Sequence, residues 1–177
     1  RFLKNIKNKI TFGDYKLADI PNTCASTIKA VRDLKLNYIT IHISSGLSAL
    51  KAVKKVARST KIIGVTILTS LTNKSLKEIG FDKNVKKIVL NQARLAAKAN
   101  LDALVCSPLE IKIVKKVFKK EIITPGIRFS REKKDDQQRV MSPKEALRNG
   151  ASSLVIGRSL TRGNIKKNIQ KLFQELN

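Results

Sequence analysis

Apolar residues fall along the chain in short continuous runs, separated by longer stretches with helical spacing. A run of four to eight apolar and β-branched residues bounded by turn signals is typical of a strand buried on both faces. Apolar residues that recur every three or four positions, as Ile28, Val31 and Leu34 do, indicate an amphipathic helix. The pattern predicts strands at residues 10–16, 37–43, 62–67, 102–106, 121–124 and 153–156, and helices over residues 2–9, 23–35, 47–58 and 83–99, near 75, and from about 164.

Strands and helices alternate throughout, and no long linker or change of composition interrupts them. This order favours an all-parallel sheet covered by helices, in about six βα units. We therefore predict a single α/β domain over residues 1–177.

Several helices carry start signals. The segments Ser107–Glu110 and Ser142–Glu145 each place a serine at the N-cap, a proline at the first helical position and a glutamate three residues after the serine, which predicts two capping boxes. Pro21 blocks further strand pairing after the first strand, and Asn22 or Thr23 is expected to cap the helix that follows.

Polar side chains cluster where each predicted strand ends. In parallel α/β folds the carboxyl ends of the strands meet on one face, and this face carries the active site. Ordinary turn chemistry explains any one of these residues, but their recurrence at every unit favours a shared site. The residues are Asp14 and Lys16, His42 and Ser44, Thr66 and Thr69, Cys106 and Ser107, Arg128, and Gly157 with Arg158.

The first of these clusters carries an alternation of charges. On a strand, Asp14 and Lys16 point to the same side, and a buried anion and cation must pair to offset their lost hydration. Asp19 follows closely enough to add a second carboxylate. As a bare pattern, Asp-x-Lys is also common on solvated strand edges.

Composition narrows the function classes. The net charge of +24 is compatible with nucleic-acid binding through counterion release, but the lysines are dispersed over every helix and aromatic residues make up only 5%. We interpret the charge mainly as solvated helix faces that also attract an anionic, phosphorylated substrate. No apolar run reaches the ~20 residues of a membrane span. Cys24 and Cys106 lack companions at metal-ligand spacing, which makes a zinc site unlikely and suits the cytoplasm.

His42 is the only histidine in the chain. At the end of an apolar strand we expect it to be a hydrogen-bonded structural residue and not a general base. No serine or cysteine has a histidine and carboxylate partner set, so a hydrolase triad is not supported.

Six motifs resemble those of the orotidine 5'-phosphate decarboxylase family, bacterial type. They occur in the family's order from residue 10 nearly to the C-terminus. They are Asp14-Tyr-Lys-Leu-Ala-Asp-Ile-Pro-Asn-Thr23, Ile41-His-Ile-Ser-Ser-Gly46, Val65-Thr-Ile-Leu-Thr-Ser-Leu71, Thr124-Pro-Gly-Ile-Arg128, Asp136-Gln-Gln-Arg-Val-Met-Ser-Pro143 and Val155-Ile-Gly-Arg-Ser159.

The resemblance implies a (β/α)8 TIM barrel in which about six units are present and the first two are missing. It also implies a strand-one aspartate and a strand-two lysine that this sequence lacks, so we expect the chain to be an N-terminally truncated piece of a longer coding sequence. An open barrel of this kind would expose two strand edges, a feature that proteins normally avoid.

The resemblance further implies decarboxylation of orotidine 5'-monophosphate to UMP, without a cofactor or a metal. Lys16, Asp14 and Asp19 would be catalytic, with Lys16 stabilising and protonating the carbanion. A homodimer would share its sites through Asp19 and Thr23. The substrate-binding residues would be Ile20, Thr23, Thr69, Arg128, Gln137, Gly157 and Arg158.

Two alternatives remain. A related sugar-phosphate enzyme such as a hexulose phosphate synthase shares an Asp-x-Lys-x-x-Asp strand, but it typically uses magnesium and is not expected to carry Asp-Ile-Pro-Asn-Thr together with Pro-Gly-Ile-Arg. The other alternative is a basic nucleic-acid-binding protein with a relict barrel sequence.

Overall fold

A computed structural model describes residues 9–129 and 139–176 of the chain. Within these residues six strands and eight α-helices follow one another along the sequence. The strands are β1 (Phe12–Leu17), β2 (Tyr38–His42), β3 (Lys61–Val65), β4 (Ala103–Val105), β5 (Glu121–Thr124) and β6 (Ser153–Leu154). The helices are α1 (Pro21–Ala30), α2 (Gly46–Val56), α3 (Asn73–Glu78), α4 (Val85–Lys98), α5 (Ile111–Val114), α6 (Pro143–Arg148), α7 (Arg158–Thr161) and α8 (Ile165–Leu176), and 3-10 turns occur at Arg32–Leu34, Ile43–Ser45 and Pro108–Glu110.

All six strands are parallel and lie in the sheet in sequence order, from β1 to β6. Sequential order with a helical connection after each strand is the arrangement of a (β/α) barrel and differs from a doubly wound sheet. Within the described residues β1 pairs only with β2, and β6 only with β5. The strands therefore form an open half-barrel, and the predicted α/β barrel architecture is confirmed.

Alternation along the strands divides the core into two layers. Ile62 and Leu104 belong to the large cluster between the sheet and the helices. The neighbouring positions Ile63 and Ala103 form a smaller cluster with Ile123 on the inner face of the half-barrel. Burial on both faces explains why the strands appear in the sequence as continuous apolar runs.

Ion pairs fasten the amino-terminal ends of the strands. Lys54 on α2 donates to both carboxylate oxygens of Asp102, at 2.6 and 2.5 Å, and Asp102 also accepts from the Ile62 amide at 2.8 Å. Lys61 donates to Glu121 at 2.5 Å. These pairs lie at the end of the strands opposite to the predicted site.

Two predicted helix starts differ from the structure. Helix α1 begins at Pro21 itself, and its N-cap Ile20 provides no side-chain cap, so neither Asn22 nor Thr23 serves as one. Ser107 accepts from the Leu109 amide at 3.3 Å in a 3-10 turn, but Glu110 does not complete a capping box. The box at Ser142 and Glu145 is present as predicted.

Most element bounds agree with the sequence prediction within a few residues. Strand β6 is shorter than residues 153–156, and α7 was not predicted. The helix predicted over residues 2–9 lies almost wholly outside the described residues. Over residues 9–129 and 139–176, no helix is long and apolar enough to cross a membrane.

Candidate active site

An irregular stretch of β1 positions the central lysine. Gly13 pairs with Ile39 and Leu17 with Ile41, so a step of four residues on β1 lies opposite a step of two on β2. Within this bulge Lys16 has a φ of +48°, in the left-handed region. That conformation costs a non-glycine residue about 1–2 kcal/mol. Bulges of this kind occur next to active sites, where they redirect a side chain.

Asp14 and Lys16 form the predicted ion pair, because the Lys16 ammonium donates to Asp14 Oδ2. The side chains remain 45% (Lys16) and 50% (Asp14) exposed. Both charges are therefore accessible to a ligand while they hold each other in place.

Thr40 on β2 connects the two ends of this pair. Its buried hydroxyl accepts a hydrogen bond from the Lys16 amide at 2.8 Å and donates one to Asp14 Oδ1 at 3.0 Å. The same hydroxyl thus stabilises the unusual backbone of Lys16 and orients the carboxylate that Lys16 contacts. We call Asp14, Lys16 and Thr40 the charged triad.

His42 lies two residues beyond Thr40 on the same face of β2, and its strand partner on β3 is Val65. Partial burial lowers the pKa of His42, the nearby Lys16 ammonium lowers it further, and Asp14 acts in the opposite direction. The imidazole is therefore neutral at pH 7. The ring makes no hydrogen bond to another residue of the described part of the chain, contrary to our expectation.

A cleft of about 680 Å³ opens beside the charged triad. Asp14 and Lys16 line it together with Thr69 from the loop after β3, and with Cys106 and Ser107 after β4. Most of the remaining lining is apolar. Burial raises the pKa of the Cys106 thiol, and nearby Glu110 adds to this effect, so the thiol stays protonated and is a poor nucleophile.

The remaining predicted residues of the first loop lie off this cleft lining. Asp19 and Ile20 are exposed between β1 and α1, and Asp19 Oδ1 accepts from the Ile20 amide at 2.6 Å. Thr23 is exposed on α1. Among the described residues Lys16 pairs with Asp14 and not with Asp19, so the structure does not bring the second carboxylate to the lysine within one subunit.

Arg128 is buried after β5. One nitrogen of its guanidinium, Nη1, donates to the Ile127 carbonyl at 2.9 Å, while the buried Nη2 has no hydrogen-bond partner within the described residues. Gly157 precedes α7 and its carbonyl accepts from the amides of Leu160 and Thr161; Arg158 is the first residue of that helix and is half-buried. Gln137 lies outside the described residues.

Backbone pairing joins the two segments that flank residues 130–138. Met141 donates to the Gly126 carbonyl and Arg128 donates to the Met141 carbonyl, each at 3.1 Å. We call residues 126–128 and 139–141 the neck. Within the neck, Arg139 Nη2 donates to Glu110 Oε2 in an ion pair whose side chains are only 10% (Arg139) and 3% (Glu110) exposed.

The sequence prediction missed the charged-triad member Thr40 and the Glu110–Arg139 pair. Alternation along residues 37–43 was a usable signal for Thr40, since it puts this hydroxyl on the same face as His42. No local signal identifies Glu110, because a glutamate at that position also fits a helix start.

A cation held beside a carboxylate at the edge of an apolar cleft can stabilise developing negative charge and supply a proton. Consecutive parallel strands with such a cleft at their carboxyl ends define a protein of the (β/α)-barrel class. The chain belongs to the orotidine 5'-phosphate decarboxylase / HUMPS family, whose model matches residues 2–171.

Known proteins similar to this chain agree with that assignment and confirm the resemblance seen in its motifs. The orotidine 5'-phosphate decarboxylase of Prochlorococcus marinus subsp. pastoris is 40% identical over 188 residues, covering 99% of this chain and 77% of the relative. That of Wolbachia sp. subsp. Brugia malayi is 43% identical over 170 residues, covering 94% and 75%. The crystal structure of orotidine 5'-phosphate decarboxylase from Lactobacillus acidophilus matches with a TM-score of 0.79 at 29% identity, covering 94% of this chain and 75% of that one.

Proposed function

We propose that the protein is a carboxy-lyase that converts orotidine 5'-monophosphate to UMP in pyrimidine synthesis. Membership of the family and the names of its relatives support the reaction. The observation that carries the proposal within the molecule is the charged triad, in which Lys16 is held by Asp14 and Thr40 at the cleft.

In this reaction the bond between C6 of the pyrimidine and its carboxylate breaks, and carbon dioxide leaves. The electron pair stays on C6 in the plane of the ring, where the π system does not delocalise it. A preorganised positive charge is what stabilises such a carbanion, and the Lys16 ammonium supplies it. Lys16 then transfers a proton to C6, which yields UMP, and it regains a proton from water.

Asp14 serves this step by holding the lysine in position. Its charge also lies near the departing carboxylate, and repulsion between the two is a contested contribution to the rate. Across the interface of the homodimer proposed below, Asp19 adds a second anion that favours the charged form of the lysine.

Binding groups distant from C6 supply energy that is used at the transition state. We assign binding of the substrate phosphate to Gln137, Gly157 and Arg158, because an arginine guanidinium and a glycine backbone amide both donate hydrogen bonds to phosphate oxygens. The other substrate-binding residues are Ile20, Thr23, Thr69 and Arg128. The exposed positions of Asp19, Ile20 and Thr23 fit a homodimer whose subunits exchange these residues across a two-fold axis.

The protein then works in the cytoplasm on a soluble nucleotide. Its net charge of +24 favours the encounter with a phosphorylated, anionic substrate. The two cysteines, Cys24 and Cys106, are free and buried, as suits a reducing compartment.

Replacement of the lysine tests the proposal. Lys16→Ala is expected to lower kcat by about 10³-fold or more, because both the charge and the proton donor are lost. Binding of UMP, measured by calorimetry, should remain detectable. Turnover of the variant within about tenfold of that of the unsubstituted protein, the parent, would exclude Lys16 as the acid.

Lys61→Ala is the matched control. Lys61 is also about half exposed and paired with a carboxylate, Glu121, but it lies at the opposite end of the strands. Its removal should leave kcat unchanged. A comparable loss of kcat in both variants would show a general effect of lysine removal.

A further inference from the structure

The ion pair between Glu110 and Arg139 is more deeply buried than the pairs Lys16–Asp14, Lys54–Asp102 and Lys61–Glu121. It joins positions 29 residues apart, one at the end of the 3-10 turn after β4 and the other in the neck. Burying two charges costs more than burying apolar groups of the same size, so stability alone is a weak reason to have such a pair. Arg139 Nη1 is buried without a hydrogen-bond partner in the described part of the chain, which adds to this cost.

The backbone of Arg139 lies beside Gly126, where the loops after β3, β4 and β5 meet. Gly126 has a φ of +78°, and a Cβ built on it would lie 2.8 Å from the Arg139 carbonyl oxygen. The same position is 3.7 Å from both Thr69 Cγ2 and Pro108 Cδ. Gly126 is therefore packed between the loop after β3, the turn after β4 and residues 139–141 of the neck.

The loops after β3, β4 and β5 form one wall of the cleft. The residues that line this wall are Thr69, Ser107 and Pro125. Thr69 packs against Gly126, Ser107 precedes the packed Pro108, and Pro125 precedes Gly126 itself. Glu110 is three residues from Ser107, and its bond to Arg139 ties the turn after β4 to the neck. Lys16, Asp14 and Thr40 lie on β1 and β2, and their hydrogen bonds do not involve this pair.

We propose that the Glu110–Arg139 ion pair is a positioning device that fixes the wall formed by Thr69, Ser107 and Pro125. It thereby sets the affinity for the nucleotide and leaves the chemical step at Lys16 almost unaffected. This inference rests on the proposed decarboxylase function. It adds two residues that act through the cleft wall and not on the substrate itself.

The variant Glu110→Gln tests this role, because it keeps an oxygen acceptor for Arg139 but removes the charge. We expect KM for orotidine 5'-monophosphate to rise about tenfold or more while kcat stays within about threefold of the parent. Loss of binding without loss of kcat distinguishes a misplaced wall from a damaged charged triad.

Asp102→Asn is the matched control. The Lys54–Asp102 pair is also shielded from solvent, with side chains 26% and 22% exposed, but it fastens the opposite end of the strands. The control variant should lower Tm and leave KM unchanged. A rise in KM in both variants would trace the effect to lower stability and overturn the proposal.

The double variant Glu110→Met/Arg139→Met separates positioning from stability. Removing both buried charges offsets the cost of leaving one unpaired, so Tm should recover towards the parent value. KM should stay raised, since no directional bond holds the neck. Recovery of KM together with Tm would overturn the proposal, as would an unchanged KM in Glu110→Gln.

If the unsubstituted protein shows no turnover, the measurement of KM fails together with the proposed function, while the positioning role stays testable. In that case amide hydrogen exchange decides the positioning role. Exchange in peptides covering residues 124–129 and 139–143 should be faster in Glu110→Gln than in the parent and unchanged in Asp102→Asn. Equal exchange in Glu110→Gln and the parent would overturn the proposal.

Discussion

At the scale of single residues, the site depends on a backbone conformation that its own residue type disfavours. Lys16 has a φ of +48°, although lysine lacks the freedom of glycine in that region. The Thr40 hydroxyl offsets the cost by accepting from the Lys16 amide, and it orients Asp14 at the same time. Local strain held by surrounding bonds is typical of functional sites.

Thr40→Val removes this hydroxyl and preserves the shape of the side chain. We expect the free energy of unfolding to fall by about 1–3 kcal/mol, because the Lys16 amide and Asp14 Oδ1 each lose a hydrogen-bond partner. Because Lys16 is then less well placed, kcat should also fall by about tenfold or more. Urea unfolding and steady-state kinetics measure the two effects.

Thr40→Ser retains the hydroxyl and serves as the control. It should keep most of kcat. Its free energy of unfolding should fall only by the amount that one buried methyl group contributes. Equal kcat in the serine and valine variants would show that the hydroxyl does not position Lys16.

The sequence predicted the Asp14–Lys16 pair but not how the backbone achieves it. Alternation on a regular strand was the basis of the prediction, and the pair forms instead across a bulge. Thr40 completes the charged triad from a different strand. Alternation along β2 indicates the face of its side chain, but the local sequence pattern indicates neither its hydrogen bonds nor the positive φ of Lys16.

At the scale of elements, two similar sequences have different outcomes. Ser142-Pro143-Lys144-Glu145 forms the predicted capping box, whereas Ser107-Pro108-Leu109-Glu110 forms a 3-10 turn. The Glu110 carboxylate instead forms an ion pair with Arg139, which is distant in the sequence. A local motif therefore predicts a local structure only where no tertiary contact competes for the same side chain.

Ser142→Ala should lower the free energy of unfolding by about 1 kcal/mol at pH 7, because the cap of α6 is lost. Hydrogen bonds from the Ser142 side chain and amide lower the pKa of Glu145. The stabilisation from these hydrogen bonds is therefore complete above the pKa that Glu145 has in the unfolded chain. It is lost as the pH falls through the lower pKa that Glu145 has in the folded protein. The difference in stability between parent and variant should accordingly shrink below about pH 4.

Urea unfolding of both proteins at neutral and acid pH measures this difference. Ser26→Ala is the control, since Ser26 is exposed within α1 and makes no capping bond there. It should change stability by no more than about 0.5 kcal/mol, through helix propensity, and by the same amount at both pH values. A pH-independent difference for Ser142→Ala would contradict a role of the Glu145 carboxylate in the cap.

At the scale of the whole molecule, the order of strands and helices was predictable from the sequence. The solvent exposure of the apolar helix faces was not. The apolar runs and their spacing predicted six parallel strands, and the resemblance to a barrel family predicted their sequential order, as observed. Helix α8 was also predicted, yet Ile165, Ile169 and Phe173 on it are 40–62% exposed in the structure. Periodicity identifies the apolar face of a helix but does not identify what covers it.

Subunit exchange tests the proposed sharing of Asp19. We expect Lys16→Ala and Asp19→Ala to be inactive separately and to regain activity when their subunits mix. In a mixed dimer one site collects both defects and the other collects none. Random exchange makes half of the dimers mixed, so roughly a quarter of all sites should recover.

Native mass spectrometry verifies that mixed dimers form. Each protein mixed with itself is the control and should stay inactive. An inactive mixture that contains mixed dimers would place Asp19 in the site of its own subunit.

His42 gives the protein a built-in spectroscopic reporter. As the only histidine, its imidazole contributes one set of ring signals to a nuclear magnetic resonance spectrum, without labelling or assignment by mutation. The charges of Lys16 and Asp14 act on that ring directly. Any ligand that changes the charge beside Lys16 therefore moves a single, already identified resonance, and a titration of that resonance reads the electrostatics of the cleft in the unmodified protein.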